Sequence, residues 1–525
     1  MLMAGLSWLA QAESVPEAGT TTEPSAGAES QANLFDVLEF RVEGNTVLPA
    51  ISIEEAVYPH LGEKKSIGDV ELARKALEKA YHDAGYLTVF VDIPEQDVKE
   101  GIVRLKVTEG KVERLKVTGA RYFSLGRIKA QTPDFAEGSV PYFPAVQKQV
   151  AEISRNPDRK VTPVLRPGRS PGKVEVELKV DDQLPLHGSV ELNNYYSPNT
   201  THTRMSASLR YDNLWQREHS LAVQFLTTPE KPSETKVLSG TYMMPLAGGD
   251  YLAAYAVKSD SDTAALGDVN VIGNGRIVGL RYIHPMGGYA GFYHSLTAGW
   301  DYKKFGETVQ QLGADSFNTP ITYQPFTLGY DATWQGEQRT TQLGVAFNFS
   351  VRGWGNSEQE FADKRYNASP DYAYLRLDLK HTEKLPRGFS LYGRVSSQLA
   401  GSPLISNEQF SAGGSGSVRG YLESEVLGDV GVQGTIELRT PMLDKDVSAL
   451  LGQTYALGFI DGAHLVVNDS LPSQQSHYTL TSAGLGLRMK VGKGFNLDLD
   501  LARPFRETAN TPLELRPRVR MSYAF

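Results

Sequence analysis

Between Leu186 and Phe525 the chain is written in strand-length stretches in which apolar residues alternate with polar or small ones. Val345, Phe347, Phe349 and Val351 alternate with Ala346, Asn348 and Ser350, and Phe495, Leu497, Leu499 and Leu501 with Asn496, Asp498 and Asp500. Ala373, Leu375, Leu377 and Leu379 alternate in the same way with Tyr374, Arg376, Asp378 and Lys380. Charges on every second position suit a wall with lipid on one face and water on the other, and do not suit the dry core of a sandwich. The links also alternate. Tight ones fall near 214–217, 246–250, 285–288, 335–337, 385–388 and 491–494, and long ones near 259–273, 304–320, 353–369, 401–431, 466–479 and 505–517. Short turns on one side and long loops on the other, joining about sixteen strands, are the pattern of an antiparallel transmembrane β-barrel over residues 184–525. No run of eighteen apolar residues occurs anywhere, so a membrane would have to be crossed by a closed barrel.

Composition narrows the function. Cysteine is absent, which excludes thiolate metal sites, thiol nucleophiles and disulfides. A net charge of -8 argues against a nucleic-acid partner, which would need a basic surplus. There is no Gly-x-Ser-x-Gly elbow, His-Glu-x-x-His pair or phosphate-binding glycine loop, and His187, His202, His381 and His464 are scattered. No enzymatic activity, catalytic residue, metal or cofactor is therefore expected.

The N-terminal third reads differently. Residues 1–12 form a short apolar run ending in Ala10-Gln11-Ala12, the form of a signal-peptidase site, although no Lys or Arg precedes it; they read as a signal-peptide remnant. Residues 13–34, rich in Ser, Thr, Pro, Gly and Glu, read as a flexible linker. From 35 to 110 the pattern is strand, helix, helix, strand, strand. Val37–Glu43 alternates up to a turn at Gly44-Asn45, Ser52–Leu61 is a short helix, and a second helix begins at Ser66, carries Val70, Ala73, Leu77, Ala80 and Tyr81 on one stripe and stops at Gly85. Strands follow at 87–93 and 102–107. The order repeats over 111–183, with Leu115 and Val117 in the entering strand, Gly119 at the turn, helices at 124–131 and 143–153, and closing strands at 161–165 and 174–180.

Two barrel motifs suggest a mechanism. The longest link carries Gly413-Gly414-Ser415-Gly416-Ser417-Val418-Arg419-Gly420-Tyr421 between the eleventh and twelfth strands, and the thirteenth carries Gly458-Phe459-Ile460-Asp461-Gly462. Phe459 and Asp461 share a parity and can both face the lumen. A lumen-facing Phe needs something to pack against, and Asp461 could meet a cation such as Arg419 in a charge-assisted pair. Glu437, on the lumen parity of its strand, is a second candidate partner. The chain ends with Val519, Met521, Tyr523 and Phe525 on one face.

Val418-Arg419-Gly420-Tyr421 and Phe459-x-Asp461-x resemble the signatures of the POTRA-barrel transporter superfamily. Phe40-Arg41-Val42-Glu43-Gly44-Asn45-Thr46, Ala84-Gly85-Tyr86, Ile93-Pro94-Glu95-Gln96 and Val107-Thr108-Glu109-Gly110-Lys111-Val112 look like POTRA units of the ShlB/FhaC/HecB type, the two-partner secretion (TpsB) transporters. The resemblance covers nearly everything from Phe35 to Phe525. It implies two periplasmic POTRA domains before a 16-stranded outer-membrane barrel, with loop 401–431 folded into the lumen and held by Val418, Arg419, Gly420, Tyr421, Phe459, Asp461, Gly462 and Glu437. Tyr523 and Phe525 resemble a barrel-assembly signal. The implied activity is export of a large, unfolded β-helical exoprotein (TpsA type: adhesin, haemolysin or contact-dependent toxin), with outer-membrane lipid and the barrel-assembly machinery as further partners and a monomeric state. Some relatives carry an N-terminal helix that plugs the pore; Pro16, Gly19, Pro24 and Gly27 argue against a stable one in this stretch. An insertase for other barrels is the alternative, since it shares both motifs; a diffusion porin would need neither the repeats nor Arg419.

Overall fold

The computed structural model describes residues 34–98, 100–261, 263–266, 269–272, 274–306, 308–309, 317–443 and 452–525. The signal-peptide and linker expectations lie outside them, Leu34 excepted. Two compact units are present: one ends at Asp181, and the other runs from Asp182 to Phe525 and includes Arg121–Ser124.

In the first α+β repeat β1 (Phe35–Val37) and β2 (Glu39–Glu43) precede α1 (Ala50–Val57), β3 (Gly62–Lys65), α2 (Ile67–Asp83), β4 (Val89–Asp92) and β5 (Ile102–Glu109). The sheet runs β2-β5-β4, with β2 parallel and β4 antiparallel to β5. Val70, Ala73, Leu77 and Tyr81 on one face of α2 pack over Val89, Val91, Val103, Leu105 and Val107. At the start of α2 the Asp69 carboxylate accepts bonds from the Ser66 N–H and hydroxyl, both 2.8 Å, which hold its carboxyl below the usual range.

Three details depart from the sequence reading. The first strand breaks at Leu38, because β1 pairs with β3 while β2 pairs with β5. The strand β3, with its Glu-Lys-Lys sequence, has no alternating pattern to announce it. The first helix starts at Ala50 and ends at Val57, followed by a 3-10 turn over Tyr58–His60, since Pro59 has no N–H to continue it.

The second repeat has the expected order: β6 (Lys111–Thr118), α3 (Leu125–Ala130), α4 (Phe143–Ile153), β7 (Arg159–Pro167) and β8 (Lys173–Asp182), in the sheet order β6-β8-β7. One pair of glycines expresses the duplication. Gly44 after β2 (φ +93°) and Gly119 after β6 (φ +87°) both lie over a carbonyl of the neighbouring parallel strand; a Cβ would stand 2.3 Å from Val107 O and 2.2 Å from Val180 O. No other residue type fits that turn.

Sixteen antiparallel strands close the barrel, from Leu186–Asn193 to Arg516–Ala524. Ile321–Tyr323 and Phe326–Gln335 both pair with Phe292–Gly306 and form one wall strand interrupted before Pro325. One tight link lies beyond its expected place: the strand Asn274–Tyr289 continues through Pro285 and Gly288, absorbing them in a register irregularity between Met286 and Tyr289, and turns at 290–291. Parity along the wall is sharp. Ile460 is 65% exposed on the lipid face while its neighbour Asp461 is 1% exposed in the lumen. Lumen charges pair across strands, as in Arg281–Asp301 (2.6 Å), Arg394–Asp378 (2.7 Å) and Arg488–Asp500 (2.8 Å). Arg520 of the last strand reaches Glu191 of the first at 2.8 Å, across the closure. There the backbones of Gly188 and Phe525 exchange bonds of 3.1 and 3.0 Å, and Tyr523 and Phe525 stand exposed.

Candidate functional site

The loop between Ala400 and Val430 is folded onto the inner face of the barrel. Phe410, Ala412, Val418, Tyr421 and Val426 of the loop are buried against Ala463, Leu465 and Leu480 of the wall. At its tip Arg419, 4% exposed, lays its guanidinium over the lumen face of the paired strands Val430–Arg439 and Gln453–Val466. Nε and Nη2 of Arg419 donate to the two oxygens of Asp461 at 2.9 and 2.8 Å, and its backbone N–H adds a third bond at 3.1 Å. Nη1 donates to Glu437 at 2.7 Å and Nη2 to the Thr435 hydroxyl at 2.9 Å. Thr435 in turn donates to Asp461, and Arg439 holds the other oxygen of Glu437 at 2.7 Å. The guanidinium lies 3.4 Å from the centroid of the Phe459 ring, which packs on Leu457 and Ala502. The lumen-facing phenylalanine is thus the floor on which the arginine stacks.

The rest of the motif seats the loop. Gly420 approaches the wall so closely that a Cβ would stand 2.7 Å from Ser482 Cβ and 2.9 Å from Pro504 N. The Tyr421 hydroxyl donates to Arg506 O at 2.8 Å and accepts from Thr481 N at 3.3 Å. Gly462 is not brought to this cluster: it has the opposite parity in the wall and pairs with Gly434.

Several contributors were not read from sequence. Arg518 of the last strand donates Nε to Arg419 O at 2.7 Å and Nη1 to Glu423 at 2.7 Å, and also bonds Tyr421 O; Arg516 donates to Gly420 O at 3.2 Å. The alternation Arg516, Arg518, Arg520 was the available signal for a lumen-facing basic ladder. Two buried carboxylates bind the outer part of the loop. Asp429, fully buried, accepts from Arg365 Nη2 at 2.7 Å, Leu404 N at 2.8 Å and Asn468 N at 2.7 Å, so it gathers three different long loops. Glu408, 2% exposed, accepts from Lys303 at 2.7 Å and from the hydroxyls of Tyr323 and Tyr374 at 2.6 Å each. Around them Phe361, on the short helix Glu358–Lys364, packs with Tyr323, Tyr372, Leu404 and Ile405.

A sixteen-stranded barrel preceded by α+β repeats, with an arginine loop locked to its inner wall, defines an outer-membrane transporter of the POTRA-barrel superfamily. Residues 35–110 match the ShlB-type POTRA domain, and residues 319–489 match the haemolysin secretion/activation protein ShlB/FhaC/HecB. The chain is 21% identical over 464 residues to the heme/hemopexin transporter protein HuxB of Haemophilus influenzae, covering 85% of this chain and 79% of that one. It is also 21% identical to the outer membrane transporter CdiB of Dickeya dadantii, over 83% and 77% of the two chains. Among solved structures, CdiB from Escherichia coli superposes with a TM-score of 0.63 at 19% identity, covering 96% of this chain and 93% of that one. BamA from Haemophilus ducreyi lacking POTRA domains 1-3 gives 0.58 at 13% identity, over 94% and 100%. Over residues 35–110 and 319–489 the chain is similar to the ShlB/FhaC/HecB two-partner secretion transporters, and it is an outer-membrane β-barrel transporter with its POTRA region in the periplasm.

Sidedness follows. The first barrel strand leaves the periplasm, so the tight turns are periplasmic and the long loops external. In a chain that has no cysteine, Ala362→Cys in the 350–372 loop should label with an impermeant maleimide on intact cells, and Glu337→Cys should label only after the outer membrane is permeabilised. The reverse labelling would invert the topology.

Proposed function

We propose that the chain exports one dedicated, large β-helical exoprotein of the adhesin, haemolysin or contact-dependent toxin type. The cargo is captured unfolded by the POTRA repeats and passed through the barrel as loop 401–431 leaves its seat. The observation that carries this reading is the Arg419–Asp461–Glu437 lock. It binds a loop to the side chains of the wall, so the loop can be released without breaking the backbone ladder between the wall strands. Val418 and Tyr421 fill the apolar seat, Gly420 permits the approach, and Phe459 stacks under the cation. Gly462, outside the cluster, serves the wall. Tyr523 and Phe525 act during assembly, where the last strand must find the first. No nucleotide is available in the periplasm; progress comes from folding of the exported chain outside, which prevents its return.

The POTRA and barrel segments have separate cores, which gives a direct test. Deleting 35–110 should leave a heat-modifiable barrel in the outer membrane and reduce exoprotein in the medium at least a hundredfold, an order-of-magnitude expectation from the loss of the capture surface. Undiminished export would show that the first repeat is not the receptor. A second reading, assembly of other barrels, is favoured by the likeness to BamA. The protein captured during transport decides: a large exoprotein supports export, and a set of nascent barrels supports assembly.

A further inference from the structure

Consecutive lysines near the outer end of Phe292–Gly306 face opposite ways. Lys303 points into the lumen and binds Glu408 at 2.7 Å, whereas Lys304 is exposed on the lipid face. Directly opposite Lys304 on Asn274–Tyr289 stands Arg276, and directly opposite Arg276 on Tyr251–Ser261 stands Lys258. Lys236, on Thr235–Pro245, lies one strand further along, across from Asp260. All four cations are exposed. Among the described residues Asp260 lies 3.7 Å from Lys258, and Arg276 and Lys304 have no ion pair. Like charges directly opposite one another on adjacent strands repel, so the row burdens the empty wall. Lipid-facing positions at the outer ends of other strands hold Phe349, Ala373, Leu399, Val430 and Met205 instead.

Height on the wall says what the row meets. At the periplasmic end of the lipid face Phe292 packs on Trp334, with ring centroids 5.1 Å apart. Lys304 stands roughly 30 Å above Phe292, at about 3.3 Å per residue along a tilted strand, just past an apolar band about 25 Å tall. Trp300 and Tyr302 lie directly below it on the same face, level with an upper aromatic belt that includes the stacked pair Phe326–Phe349. The cations therefore sit at the headgroup level of the outer leaflet.

Below Lys258 the lipid face is bare. Ala256 and Ala254 follow it down the strand, with Gly240 paired beside Ala256 and with Val278 and Leu280 on the other side. A Cβ at Gly240 would approach nothing nearer than Ala222 O at 4.0 Å, so no neighbour fills this shallow apolar trough.

We infer that Lys258, Arg276 and Lys304, with Lys236 at the margin, bind the phosphates of one lipopolysaccharide molecule of the outer leaflet, with an acyl chain lying in the Gly240–Ala256–Ala254 trough. Phosphate oxygens accept charge-assisted bonds from such groups and relieve their repulsion. The row spans two strand spacings, roughly 10 Å, comparable to a disaccharide phosphorylated at both ends. A glycerophospholipid, with one phosphate, would satisfy only part of it.

The test uses full-length protein in detergent, freed of lipid, with rough lipopolysaccharide as the probe. Native mass spectrometry should show the glycolipid tightly held, and Lys258→Ser/Arg276→Ser/Lys304→Ser should weaken it on the order of a hundredfold. Arg503→Ser, which removes an exposed cation paired with Ala483 on another strand, should bind as the wild type does. Without lipid the triple variant should melt no lower than the wild type, because the row repels itself; with the probe only the wild-type transition should rise. Unweakened binding by the triple variant, equal weakening by Arg503→Ser, or a lower lipid-free transition in the triple variant would overturn the inference. The wild type alone gives a further check, since enzymatically dephosphorylated probe should bind far more weakly. Equal binding of that probe would mean that only the acyl chains are held. Displacement by equimolar phosphatidylglycerol or inorganic phosphate would mean a general anion site, and either result would overturn the assignment.

Discussion

Arg419→Ala should abolish export and leave a folded barrel in the membrane. The side chain satisfies two buried carboxylates at once, so its removal strands Asp461 and half of Glu437 in a site from which water is nearly excluded. Breaking a buried pair by removing one partner costs about 3–5 kcal/mol, which would reduce the population of docked loop by roughly two to four orders of magnitude. Asp461→Ala should be milder, because Arg419 keeps Glu437 and Thr435. Arg419→Lys should fall between them, keeping the charge and losing the fork that engages Asp461 and Glu437 together. The double variant Arg419→Ala/Asp461→Ala should be little worse than Arg419→Ala, since both changes break one shared interaction. Exoprotein in the medium per unit of heat-modifiable barrel is the measurement. Strictly additive losses would mean that the two residues act separately, and the lock would have to be given up.

How much of this was legible depended on periodicity. The barrel wall repeats every two residues, so its strands, its strand count and the parity of Phe459 with Asp461 were written in the sequence. The inward fold of the loop was implied by the likeness of Val418-Arg419-Gly420-Tyr421 to the transporter signature, and the lumen-facing Phe459 marked where a cover was needed. The partners of Glu408 and Asp429 had no such signal. Lys303, Tyr323, Arg365, Tyr374 and Asn468 lie on different strands and loops, brought together by closure of the barrel. The bonds between Arg74, Glu78 and His82 and the backbone of Val89 and Val91 were hidden for a related reason. In sequence these three look like the solvated face of an amphipathic helix, and only the packed sheet shows that the face meets the edge of β4. Strand β3 was missed because Gly62-Glu63-Lys64-Lys65 has nothing to bury. Tertiary pairing with β1 decides its conformation.

Asp429→Ala is expected to open the outer mouth of the barrel. The carboxylate has no exposure and ties the 350–372 loop through Arg365, its own loop through Leu404 and the 467–476 loop through Asn468. Its loss leaves the Arg365 guanidinium, itself mostly buried, with only the Leu404 and Asn468 carbonyls and no counter-charge, and leaves two backbone N–H groups without their acceptor. A stranded buried charge alone costs about 3–5 kcal/mol, and each orphaned donor about 1–3 kcal/mol more. The loops cannot absorb that sum through their apolar contacts alone, because Phe361, Tyr372 and Leu404 are positioned by the same three segments. The wall is untouched, since its strands satisfy one another around the closure. Purified Asp429→Ala barrel should therefore show a severalfold higher single-channel conductance in planar bilayers than the wild type, and cells carrying it should admit large hydrophilic antibiotics that the wild type excludes. Arg365→Ala should shift both readings in the same direction by less, because it removes the cation and leaves Asp429 bonded to Leu404 and Asn468. Unchanged conductance in Asp429→Ala would mean that the three loops are held by packing, with the carboxylate a passenger.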